Sequence, residues 1–222
     1  MDQTPAHEQH NPDLLRLMPP NARVIAEIGC SSGALAREYK KINSSCRYIG
    51  VELMKSYVPL AERYCDVVHA VDIENLDDAA MSEKLPGDCW VFGDTLEHLR
   101  DPWLVLARVR RVLPPDGCVV ACIPNAQHWS VQARLNCGAL RYEESGLLDR
   151  THLRWFSRIT IIEMFSSAGF RIDAGIVRGA AEPRQAELQQ AIKMMAQSIG
   201  ADPDQAYQDA LAFQYVLRAL PA

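Results

Sequence analysis

Short apolar runs alternate along the chain with helix-length segments of mixed polarity. That alternation is the pattern of a parallel sheet covered by helices on both faces. The runs predict strands near 23–28, 47–51, 67–71, 88–92, 118–123, 171–177 and 211–218, and helices near 12–18, 33–41, 55–65, 77–84, 101–113 and 159–168. Asp101 and Pro102 open the fifth helix, an acceptor at the N-cap and a proline where its missing N–H costs nothing. Pro114-Pro115-Asp116-Gly117 ends it and turns the chain. Residues 182–210, rich in Ala, Gln and Met, predict an insertion of one or two helices, about 183–198 and 203–210, broken at Gly200 and Pro203. The expected fold is α/β: a doubly wound, seven-stranded, mostly parallel sheet in a single domain over 1–222. A lid segment at 125–158 and the helical insertion at 182–210 precede the last strand, which is expected to run antiparallel.

Between Arg23 and Leu35 a buried strand breaks into a helix through a turn of small residues. Gly29 and Gly33 let backbone approach a ligand with no Cβ in the way, and the helix that follows presents unpaired N–H groups. Glu27, at the strand's end, brings an acceptor-only carboxylate that suits an ammonium-bearing ligand better than a pyrophosphate. A Gly-x-Ser-x-Gly turn alone serves packing as readily as binding. The two following apolar runs, however, also end in acids, Glu52 and Asp72. Parallel strands bring their C-terminal ends to one edge, so Glu27, Glu52 and Asp72 are expected to line one crevice. Glu52 stands about 19 residues beyond Gly33, the spacing of an acid that grips a ribose diol.

With these residues the chain resembles the class I S-adenosylmethionine-dependent methyltransferases, from about Asp13 to Leu220. Glu27-Ile28-Gly29-Cys30-Ser31-Ser32-Gly33 is similar to their first motif, with Ser31 where glycine is commoner. Gly93-Asp94-Thr95-Leu96-Glu97-His98-Leu99 with Asp101-Pro102 is similar to the segment after the fourth strand. The stretch from Gly146 through Asp149, Arg150 and His152 to Arg154-Trp155-Phe156 resembles a bacterial subgroup acting on small molecules and glycan precursors. The resemblance implies a Rossmann-like fold and S-adenosyl-L-methionine as cofactor. It implies Glu27 near the methionine amino end, with Gly29, Cys30, Ser31 and Gly33 giving backbone room. Glu52 and the adjacent Leu53 would lie at the ribose, Asp72 and Ile73 would bracket the adenine, and Asp94 would touch the cofactor.

Composition narrows the field. No apolar run approaches the roughly 20 residues of a membrane helix, and the polar stretch Met1–Asn11 lacks the apolar core of a signal peptide, so a cytoplasmic protein is expected. The seven cysteines include no Cys-x-x-Cys pair and read as buried free thiols. A net charge of −5 argues against general nucleic-acid binding.

Methyl transfer from a sulfonium needs alignment more than acid–base power, yet a hydroxyl acceptor must lose a proton, and imidazole titrates in the right range. His98, His128 and His152 follow the fourth strand, the fifth strand and the lid, and each is a candidate base. Asp94, Glu97 and His98, at i, i+3 and i+4, could share a face and hold a divalent metal. The favoured reading is that Asp94 touches the cofactor, Glu97 caps or pairs locally, and no metal is needed. The lid holds five arginines, Arg134, Arg141, Arg150, Arg154 and Arg158, interleaved with Trp129, Tyr142, Trp155 and Phe156. Arg150, Arg154, Trp155 and Tyr142 are expected to read an acceptor, a small molecule or sugar, with an anionic group suiting the arginines, unless Glu143, Glu144 and Asp149 neutralise those arginines locally. O-methylation is the leading expectation, with N- or protein methylation as alternatives. A nicotinamide-dependent oxidoreductase would want Gly-x-Gly-x-x-Gly and commonly Tyr-x-x-x-Lys, and the latter is absent. A non-catalytic binding module would have little use for three acids in one crevice.

Overall fold

The computed structural model describes residues 8–179 and 186–222. Strand β1 (Val24–Ile28) is buried from Ile25 to Ile28 and takes a central place in a seven-stranded sheet. β2 (Arg47–Val51) and β4 (Cys89–Gly93) flank it, both parallel. β3 (Val67–His69) pairs with β2, and β5 (Cys118–Pro124) with β4, again in parallel. β7 (Gln214–Pro221) runs antiparallel to β5, and β6 (Phe170–Arg178) closes the edge antiparallel to β7. The order is β3-β2-β1-β4-β5-β7-β6. Every expected strand forms. The last starts at Gln214 instead of 211 because a helix still occupies Leu211.

Successive residues of β1 feed opposite cores, as the strand period requires. Ala26 and Ile28 join Trp90, Phe92 and Phe165 on one face; Ile25 joins Tyr39 and Tyr48 on the other. All seven cysteines are free thiols; six are buried, as expected, and Cys137 is exposed.

Helices α1 (Pro12–Leu17), α2 (Ala34–Ile42), α4 (Asp78–Lys84), α5 (Pro102–Val112) and α7 (Arg158–Ser167) form within a residue of their predicted limits, and α3 (Val58–Ala61) is a single turn. The predicted helix over 55–65 is shortened because Pro59 is tolerated only at the first positions of a helix, which forces the start to Val58. The lid contains an unexpected helix, α6 (Trp129–Asn136). The insertion forms α8 (Ala186–Ser198) and α9 (Pro203–Leu211), as predicted; the first residues of that expectation, 182–185, lie outside the described residues. Trp129 of α6 packs with Ile192, Tyr207 and Ala210 of the insertion in a satellite core. Buried Asn125, just past β5, donates to the carbonyls of Asp209 and Ala212 at 2.7 and 2.8 Å, and Arg158 pairs with Asp209 at 2.7 Å. Lid helix and insertion are thus fixed to the same end of the sheet. Among the described residues no helix is long and apolar enough to cross a membrane.

Candidate active site

A cavity of about 860 Å³ opens at the C-terminal ends of the parallel strands, as the strand-end acids led one to expect. Glu27, Gly29, Cys30, Ser31, Glu52 and Leu53 line one side with Asp72 and Ile73; Asp94, Glu97, His98 and His152 line the other.

On the first side the turn after β1 is built tightly. Gly29 has φ +76°, and a Cβ there would come within 2.8 Å of the Thr95 hydroxyl oxygen, which donates to the Ile28 carbonyl. Ser31 also has a positive φ, +48°, where a side chain is strained and glycine is easier. Glu52 holds it there: one carboxylate oxygen accepts from the Ser31 N–H and the other from the Met54 N–H, both at 2.8 Å. Only 3% exposed, Glu52 is a structural brace as well as a ligand candidate. Gly33, at φ +76°, faces the Ala61 backbone, 3.1 Å from where its Cβ would sit, and does not line the cavity. Its role is packing and the helix start.

Glu27 is buried and accepts from the Tyr48 hydroxyl at 2.9 Å. Burial pushes its pKa up to about 8, with the Tyr48 bond opposing and the Glu52 charge adding. Asp72 caps the short 3-10 turn Ile73–Asn75 by accepting from the Glu74 N–H at 2.9 Å, and its other oxygen meets Arg100 at 3.4 Å. Ile73 is buried beside it, whereas Leu53 is 54% exposed at the cavity edge, an apolar surface without a cover.

Across the cavity, Asp94 has φ +53° and accepts from the Cys122 thiol at 3.3 Å and from the Gln214 amide. Glu97 lies in the 3-10 turn Leu96–His98, and its carbonyl accepts from the Leu153 and Arg154 N–H groups at 2.9 and 3.0 Å. Those two bonds clamp the lid onto the end of β4. They bring His152 against His98, ring centroids 4.8 Å apart and edge to face. The Glu97 carboxylate, 1% exposed, has no hydrogen-bond partner on either oxygen. The expectation that it caps or pairs locally is therefore corrected. Burial first, and the Asp94 charge second, push its pKa well above the usual carboxylate range. Burial, reinforced by His98, lowers the pKa of His152 and favours the neutral ring.

Of the three candidate histidines, His128 is not brought to the cavity. It is the N-cap of α6, its Nδ1 accepting from the Ser130 N–H at 3.3 Å, and its ring packs on Trp129 and Phe213. The lid's expected acceptor readers also stand elsewhere. Arg150 pairs with Glu144 at 2.9 Å, Arg154 donates to the Arg100 carbonyl and lies over Trp103, and Tyr142 is 69% exposed. Neither these three nor Trp155 lines the cavity. Local neutralisation holds for two of the lid arginines: Arg150 meets Glu144, six residues away, and Arg134 meets Glu143, nine residues away, at 2.5 Å.

The wall also includes residues that were not among the expected site residues: Ser145, Gly146, Leu147 and Thr151 of the lid, Phe213 just before β7 and Gln214 at its start, and Asn11 and Leu14 from α1 and its cap. The β7 pair was foreseeable, since an antiparallel last strand begins at the edge where the parallel strands end.

Residues 6–174 match the model of a family described as a methyltransferase domain. A curated relative, an uncharacterized 37.1 kDa protein in transposon TN4556 of Streptomyces fradiae, is 33% identical over 101 residues. That match covers 45% of this chain and 29% of the relative, so the chain spans less than a third of its length. Among solved structures, a SAM-dependent methyltransferase from Archaeoglobus fulgidus aligns with a TM-score of 0.61 at 16% identity, covering 90% of this chain and 87% of that one. An O-methyltransferase from neocarzinostatin biosynthesis, in complex with S-adenosylmethionine and 2-hydroxy-5-methyl naphthoic acid, aligns with a TM-score of 0.57 at 10% identity. It covers 94% of this chain and 52% of that one. At such identities the likeness is one of fold.

Proposed function

The chain belongs to the methyltransferase-domain family, and we propose on that premise that it uses S-adenosylmethionine to methylate an oxygen of a small-molecule or sugar acceptor. The observation that carries the oxygen assignment is the pair of imidazoles, His98 and His152, set beside the buried Glu97 on the cavity wall. An amine acceptor brings its own lone pair, whereas a hydroxyl needs help to give up a proton.

The residues of the opposite side suit the cofactor. Glu52 keeps a lone pair on each oxygen after bracing the turn, and two such acceptors match a ribose diol. Glu27 is a buried acid in need of a counter-charge, which an ammonium group would provide. Gly29 and Cys30 line the cavity at the turn, and the exposed Leu53 with Ile73 and Asp72 offers an apolar flank and an acceptor to the adenine. S-adenosylmethionine, when bound, supplies an electrophilic methyl on a sulfonium. The protein's own part is to orient the acceptor, exclude water and take the hydroxyl proton away at the Glu97, His98 and His152 side. The lid segment Ser145–Leu153, tied to the Glu97 carbonyl, walls off that side.

The fold likeness to the neocarzinostatin O-methyltransferase, whose complex holds a hydroxy-naphthoic acid, is compatible with this reading. Incubation of the purified protein with methyl-labelled cofactor and matched panels of hydroxylated and aminated acceptors tests it. Label in a methyl ether or ester is expected; label confined to amines would overturn the oxygen assignment.

A further inference from the structure

A carboxylate buried without a single donor is costly, and in this fold it faces two imidazoles. Glu97 Oε1 lies 4.0 Å from Nε2 of His98 and 4.0 Å from Nε2 of His152. Both rings are held in one tautomer by what meets their other nitrogen. The Thr151 hydroxyl gives its proton to Asp149 at 2.6 Å, so toward His98 Nδ1, 3.1 Å away, it can only accept. The Thr151 carbonyl accepts from the same nitrogen at 3.2 Å. His152 Nδ1 faces the Leu147 carbonyl at 3.3 Å, another pure acceptor. Each Nδ1 therefore carries the hydrogen, and each Nε2 turns a lone pair toward Glu97, whose carboxyl, once ionised by an incoming cation, can itself only accept. Three acceptors facing one another, each neutral imidazole oriented through its far N–H by a carbonyl oxygen, is the arrangement that surrounds a metal ion.

We propose that Glu97, His98 and His152 bind one divalent transition-metal ion on the cavity wall. The three ligand atoms lie within 4.8 Å of one another, so small side-chain rotations bring them to ordinary metal–ligand distances. Two imidazoles and one carboxylate select the zinc, cobalt(II) and iron(II) class over magnesium or calcium, which prefer oxygen throughout. All three residues line the cavity, which leaves the ion's remaining positions open to an acceptor. Its chemical role rests on the oxygen-acceptor reading above. The ion lowers the pKa of the acceptor hydroxyl; the proton leaves to water, the oxygen's electron pair forms the new C–O bond, and the S–C bond breaks with its pair passing to sulfur. This reverses the expectation that no metal is needed, and it places His152 in the ligand set where spacing had suggested Asp94.

The test is a titration of the chelator-stripped protein with cobalt(II) chloride, followed by visible absorption, and with zinc chloride by calorimetry. One equivalent of each is expected to bind, with cobalt d–d bands appearing. Since losing a mere outer partner of a metal ligand costs 10–100-fold in affinity, Glu97→Gln and His152→Ala should each weaken binding by at least about 100-fold, with S-adenosylhomocysteine affinity unchanged. Should Glu97→Gln fail to fold, His98→Ala replaces it. Absence of binding by the stripped parent, or equal binding by parent and variants, overturns the site. Cobalt binding without methyl transfer to any hydroxyl leaves the site standing and refutes the oxygen reading; transfer to a hydroxyl that persists in excess chelator does the opposite.

Discussion

Glu52 and Glu97 are both buried carboxylates, 3% and 1% exposed, that line one cavity, the first after β2 and the second after β4, with β1 between those strands. The first has a backbone N–H on each oxygen, from Ser31 and Met54; the second has nothing on either. Donors from the protein make Glu52 a finished part of the scaffold, ready to accept from neutral hydroxyls at no further electrostatic cost. Glu97 is unfinished: alone it relieves its burial by holding a proton, and an incoming positive group lets it ionise. Two acids alike in burial thus mark two different chemistries, and the difference lies in their hydrogen bonds, not in their depth.

The comparison can be broken by substitution. The largest effect is expected from His152→Ala, which removes a ligand of the proposed ion and should lower turnover by at least about 100-fold with S-adenosylhomocysteine binding intact; a change confined to acceptor KM would contradict its placement at the reacting oxygen. Next comes Glu52→Ala. Charge-assisted hydrogen bonds are worth about 1.5–3 kcal/mol each, so its loss should both weaken S-adenosylhomocysteine binding and lower the melting temperature, because the Ser31 turn loses its brace. A variant that melts like the parent would show the brace to be idle.

Glu27 sharpens the contrast through pH. Its pKa rises on folding from 4.5 to about 8, so between those values the folded protein keeps a proton that the unfolded chain has lost. The stability it contributes is complete below about pH 4.5 and is lost as pH climbs to about 8. Glu27→Gln still offers Tyr48 an acceptor and should flatten this slope, by about 2–4 °C in melting temperature for each kcal/mol involved. Equal slopes in parent and variant would assign the proton elsewhere. The smallest effect is expected from Arg150→Ala, since Arg150 is exposed and engaged with Glu144. Its acceptor KM should match the parent's, and a large rise would restore the lid arginines as acceptor readers.

Local patterns made most of the fold legible. Seven strands, the β1 turn and the Asp101-Pro102 helix start all follow from residues within a few positions of one another. Glu27, Glu52 and Asp72 converge because parallel strands must end together, which is a topological inference. The reach of His152 to Glu97 was not legible in this way. It depends on two backbone bonds from Leu153 and Arg154 to the Glu97 carbonyl, across more than fifty residues, and on an α6 that its weak periodicity concealed. His128 and the lid arginines misled for the same reason. Residue type suggested chemistry, while near neighbours, Ser130 for the histidine and Glu144 for Arg150, had already claimed the side chains.

The most direct measurement is a side-by-side calorimetric titration of S-adenosylhomocysteine into the parent, Glu52→Gln and Glu97→Gln. With the cofactor held on the glycine-turn side, Glu52→Gln should bind roughly 10–150-fold more weakly, the equivalent of one charge-assisted hydrogen bond, and Glu97→Gln should bind as the parent does. Equal losses in both variants, or a loss in Glu97→Gln alone, would contradict the division of the cavity into a cofactor side and an acceptor side.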